Sequence, residues 1–108
     1  MVKIMKIITK KKEKKILKKE CWNLDYELVK WLNEHLKVYY SDAVRMVDLG
    51  FHKFNYKGVE YTEEQVIIRM IEITDKLKET YYDWTEETKD LCDELYDLLK
   101  IVHFALWW

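Results

Sequence analysis

Proline is absent and glycine occurs only at positions 50 and 58. Both residues bend or end regular elements, so long helices run uninterrupted and the chain reads as all-α or mostly α. So few glycines also leave no glycine-rich phosphate loop and no nucleophile elbow. Cysteine occurs only at positions 21 and 92, too few and too far apart for a disulfide framework or a Cys-x-x-Cys metal site. Both thiols read as small buried hydrophobes. No secretory signal is recognisable, so a reducing cytoplasm is the expected setting. No apolar run approaches the roughly 18–20 residues of a membrane span. Arginine is confined to positions 45 and 69, and the remaining cations are lysines. Lysine favours diffuse attraction over bidentate recognition.

What is present is charge, unevenly placed. Residues 1–20 hold nine lysines against Glu13 and Glu20, or 9 − 2 = +7; the chain's net −1 then leaves −8 for residues 21–108. A basic segment (1–20) ahead of one helical domain (21–108) is the expected organisation. A basic arm on an acidic body suits docking on an acidic protein surface, its own included, better than nucleic acid or a membrane surface. Its first residues are ambiguous between a short strand and a frayed helix. From Lys10 to Glu20 the composition is helical, but like charges three and four apart call for a partner surface.

Three main helices are expected, at about 24–40, 63–82 and 86–107. In the first, Leu28, Val29, Leu32, Leu36, Tyr39 and Tyr40 form a core stripe. A second stripe, Trp31, His35 and Val38, points elsewhere, so this helix is expected to be buried from two sides. Glu27, Lys30, Asn33, Glu34 and Lys37 are left for water. Asp25 suits the N-cap or first turn, with Trp22 clamped against it. Ser41-Asp42 can cap a further short helix, Ala43 to Leu49, ended by Gly50.

Residues 51–61 read as an ordered loop in which strands on either side of Lys57-Gly58 can pair as a short hairpin. Thr62 to Gln65 has capping-box spacing, and the next helix turns Val66, Ile67, Met70, Ile71, Ile73, Leu77 and Tyr81 inward. Ile68 stands among acids, a position that suits contact with another copy. Thr85 caps the last helix after a break at residues 82–84. That helix is amphipathic to Lys100 and then apolar on every side: Ile101, Phe104, Trp107 and Trp108 call for burial against a second copy.

The Trp22-x-Leu24-Asp25 start with basic residues before it, the Glu63-Glu64…Met70-Ile71 helix and the Phe104-x-Leu106-Trp107 ending stand in a telling order. Together they resemble a widespread group of small bacteriophage-encoded proteins, in which Trp-Asp-Leu-Asp precedes a helix and Leu-Trp-Asp closes the chain. The resemblance covers about residues 20–108. Asn23 and Trp108 replace acids of that pattern, and the proline frequent in the group's middle loop is missing. The resemblance implies a phage origin and a helical oligomer more than a reaction. By analogy, such proteins are counter-defence factors in the host cytoplasm, binding a host defence protein or a nucleotide signal.

Catalytic patterns are lacking. His35, His52 and His103 have no partners at helix-built metal spacing, and Asp90, Asp93, Glu94 and Asp97 read as a solvated face, so neither metal nor cofactor is expected. Binding has more to work with. Arg45, Lys53, Tyr56, Arg69, Trp31 and His35 can combine cations with aromatic faces, the means by which a small anionic nucleotide is held between subunits. Arg69, at the edge of its helix's apolar stripe, is placed to reach around a neighbour. The other readings are a protein–protein inhibitor and a nonspecific nucleic-acid-binding module.

Overall fold

The computed structural model describes residues 21, 23–81 and 83–107. The expectations for the 1–20 segment, Trp22 and Trp108 lie outside the described residues. Helix α1 (Leu24–Met46) leads to strands β1 (Lys53–Tyr56) and β2 (Val59–Thr62), then α2 (Glu63–Thr80) and α3 (Glu86–Val102). A 3-10 turn, His103–Ala105, follows. Among the described residues the fold is mostly α, with three helices and one small hairpin.

The helix in the middle is α2, with α1 and α3 packed on its flanks. Val66, Ile67, Met70, Ile73, Thr74 and Leu77 are all buried, an arc wide enough for two neighbours. This displaces α1 from the centre the sequence suggested. Val29 and Leu36 join the core, but Leu28, Trp31, His35 and Val38 stand exposed in the single chain.

Asn33, expected in water, is instead fully buried. Its Nδ2 donates to Thr74 Oγ1 (2.8 Å) and Asp75 Oδ1 (3.0 Å), and Lys78 Nζ donates to its Oδ1 (3.3 Å). Lys37 Nζ reaches the same Asp75 oxygen at 2.8 Å and, ahead of Asn33, holds that carboxyl below the usual aspartate range. This polar clasp fixes the register of α1 on α2. Removing a buried, multiply bonded amide loses those bonds and leaves a void, so Asn33→Ala is expected to cost about 2 kcal/mol, read from urea unfolding midpoints.

No break follows Tyr40. Ala43 is fully buried beside Leu49 and Ile67, and that contact carries the helix past Ser41-Asp42 to Met46. Tertiary packing here overrides a local capping preference. Asp42 takes Arg45 Nη2 (2.9 Å) on the outside of the helix.

The hairpin forms, antiparallel, with Phe54 opposite Tyr61 and Tyr56 opposite Val59. Lys57 and Gly58 both take positive φ (51° and 81°), the geometry a two-residue hairpin needs. An isolated hairpin is marginal in water. Here Phe54, Tyr56 and Tyr61 lean on the helical core and hold it.

The capping box is present: Gln65 N donates to Thr62 Oγ1 (3.1 Å) and Thr62 N to Gln65 Oε1 (2.9 Å). Thr85 caps α3, accepting from Thr88 N (3.2 Å). Helix α3 ends at Val102 rather than near residue 107. Leu106 folds back onto the core, and Tyr39 Oη donates to Trp107 O (3.2 Å), drawing the chain end across to α1.

Candidate functional site

The six candidate ligand residues fall in separate places. Arg69 and Tyr56 share a cavity of about 210 Å³ with Tyr61, Gln65 and Leu98. Arg69 makes a fork to Glu94 across α2 and α3, Nε to Oε2 at 2.6 Å and Nη2 to Oε1 at 2.8 Å. That bond holds the Glu94 carboxyl below its usual range and raises the guanidinium further. Tyr56 Oη donates to Asp97 Oδ2 (3.1 Å). Arg69 therefore clamps two helices of its own chain, a use that 25 residues of sequence separation conceal. Arg45 pairs with Asp42, and Lys53 Nζ approaches Glu60 Oε1 at 3.9 Å. Trp31 and His35 stack face to face on α1, with centroids 3.9 Å apart, and His35 Nδ1 donates to Trp31 O (2.7 Å).

None of the expected interface residues Ile68, Ile101, Phe104 and Trp107 lines the apolar groove that opens between α1 and α3. Leu28, Trp31, Tyr96, Leu99, His103 and Leu106 line an almost wholly apolar groove of about 290 Å³ between α1 and α3. Along α1 this groove continues into an exposed row, Leu24, Leu28, Trp31, His35 and Val38, alternating four and three residues apart. Such spacing is the seam by which helices pair. Trp31 is 55 % exposed, Phe104 90 % and Trp107 69 %. Ile68 is exposed on α2, while Ile101 is half-buried. Of the thiols, Cys21 is exposed, against expectation, and Cys92 is half-buried with its pKa pushed up by burial.

A third cluster escapes sequence reading. Glu63, whose position in the capping box suggests a solvated first-turn acid, is only 3 % exposed. Its Oε1 lies 3.4 Å from His52 Nδ1, and Oε2 has no hydrogen-bond partner among the described residues. Burial, followed by the Glu63 charge and a weaker side-chain interaction of the Tyr39 hydroxyl with that carboxylate, raises the Tyr39 phenol above its ordinary value.

Tyr56 and Tyr81 are raised too, in each case by burial first and then by a hydrogen bond to a carboxylate, Asp97 and Asp25 respectively. Raised folded pKa values mean that the stability these phenols confer is complete below the unfolded phenol value of about 10 and is lost as pH climbs towards the folded values. Thermal midpoints should therefore fall steadily above about pH 10, and Tyr81→Phe should flatten part of that slope.

Among the described residues no group of three His, Cys, Asp or Glu side chains is placed to hold a metal ion. No described helix is long and apolar enough to cross a membrane. Comparison with known protein families, with curated proteins and with solved structures finds no match to this chain.

Proposed function

We propose that the chain is a non-enzymatic accessory protein that acts by binding, and that its working form is a homo-oligomer joined across the outer row of α1 and the adjoining groove beside α3. In the phage setting that the resemblance implies, the assembly blocks a defence protein in the host cytoplasm by docking on it. The observation that supports this most is the continuous apolar strip from Leu24 to Val38, opening into the groove at Leu99 and Leu106. Soluble chains seldom leave so large a contiguous apolar patch in water. Beside the strip run Glu27, Lys30 and Glu34, one turn apart in alternating sign. Charges of both signs beside an apolar seam suit a helix face that pairs.

Sequestration of an anionic nucleotide has less to support it. Both arginines are already neutralised by carboxylates of the same chain, and the body from residue 21 onward carries −8. That charge weighs equally against nucleic acid. Calorimetry with cyclic di- and trinucleotides separates the readings. Protein binding predicts no heat beyond dilution; saturable binding weakened by Arg69→Ala would restore the nucleotide. Affinity capture from host extract should retain one stoichiometric protein, lost when Trp31 is replaced by lysine.

A further inference from the structure

We propose that the cavity between the 47–52 loop, the start of α2 and the chain end is a binding site for an alkylammonium group, with Glu63 as its counter-ion. The cavity measures about 220 Å³ and is lined by Val47, Asp48, Phe51, His52, Glu63 and Trp107, among others. Buried carboxylate oxygens are almost always hydrogen-bonded, and one left unpaired carries its full desolvation cost. Glu63 Oε2 is in that condition among the described residues, and the 3.4 Å approach of His52 to Oε1 is too long for a strong bond.

The surroundings define what can satisfy it. The first amides of α2 are taken by the chain itself: Glu63 N donates to His52 O (3.0 Å), Glu64 N to Leu49 O (3.0 Å) and Gln65 N to Thr62 Oγ1 (3.1 Å). This helix end is therefore no seat for an anion. Asp48 adds a second carboxylate, its Oδ1 already accepting from Gly50 N (2.9 Å). A hydrogen-bond donor that carries positive charge matches this arrangement. Phe51 and Trp107, both largely exposed, border the cavity beside the carboxylates. Aromatic faces beside a carboxylate select an organic cation on a hydrocarbon stem. Tyr39 fixes one wall through its bond to Trp107 O. The volume far exceeds the roughly 30 Å³ share of one water. It accommodates the end of a lysine side chain or a small free amine.

Titrating the full chain with n-butylammonium at constant ionic strength tests the site by two-dimensional amide NMR. Saturable shifts are expected at the Trp107 indole N–H and at the backbone amides of residues 47–52 and 63–64, about tenfold weaker in Glu63→Gln. Trp107→Ala, which removes only an exposed wall, should weaken binding by a smaller factor and remains informative if Glu63→Gln fails to fold. Two further arms locate the source: tighter binding of Nα-acetyl-lysine amide assigns a protein lysine, and tighter binding of cadaverine a free polyamine. Equal shifts with sodium alone or with n-butanol, or none with any amine, would overturn the proposal.

Discussion

Truncating Leu77 to alanine is expected to remove about 3–4 kcal/mol of folding free energy, the range seen when a fully enclosed leucine leaves a cavity that its surroundings cannot fill. Leu77 has no exposed surface and belongs to the principal core cluster, with Met70, Ile73, Leu95 and Leu98. Collapse of the void is hindered because α2 is held from both flanks, by Asn33 on α1 and by the Arg69–Glu94 fork on α3. A domain of this size has about 5–15 kcal/mol in total, so the loss lowers the melting temperature by roughly 15 °C. A circular-dichroism melt measures it. Lys76→Ala, one residue away on the exposed side, should stay within about 0.5 kcal/mol of the parent. Equal effects from the two would mean that α2 is not the buried centre of the bundle.

Replacing Trp31 by lysine is expected to weaken self-association by about 100-fold or more while leaving the melt of the separated chains nearly unchanged. Trp31 is at the middle of the exposed α1 row. A charge there has to be desolvated without a partner as two copies meet. Val38→Lys, near the end of the same row, should act in the same direction but more weakly. Val44→Lys, exposed on α1 but off the row, should leave the assembly intact. Dissociation curves from dilution series compare the three.

How much of this was legible depended on how local the determining contacts are. The capping box at Thr62 and Gln65, the Thr85 cap and the Lys57-Gly58 turn lie within four residues of sequence, and each appears where spacing predicts. The core face of α2 also follows its periodicity, apart from the half-buried Ile71 and Tyr81. Features that depend on which helices meet were not legible. Asn33 looks like any solvent-facing amide until Thr74 and Asp75 arrive from α2. Ala43 overrides the Ser41-Asp42 break only because Ile67 and Leu49 close over it. The same gap explains the candidate site. Arg69 looks available to an anion because Glu94 is 25 residues away, and Glu63 looks solvated because the 47–52 loop that covers it has no periodic signal. The Trp31, His35 and Val38 stripe on α1 and Phe104 and Trp107 at the chain end, read directly from residue type, stand exposed in one chain. Leu28, expected in the core, joins them, while Leu106 and Ile101 are drawn partly inward.

Sedimentation equilibrium of the intact chain, run from about 1 to 100 μM, bears most directly on the claim that this surface is made for a second copy. A mass of at least twice 13.4 kDa is expected, falling to 13.4 kDa when Trp31 is changed to lysine. A single species of 13.4 kDa across the whole range, with the parent and the Trp31→Lys chain indistinguishable, would contradict it.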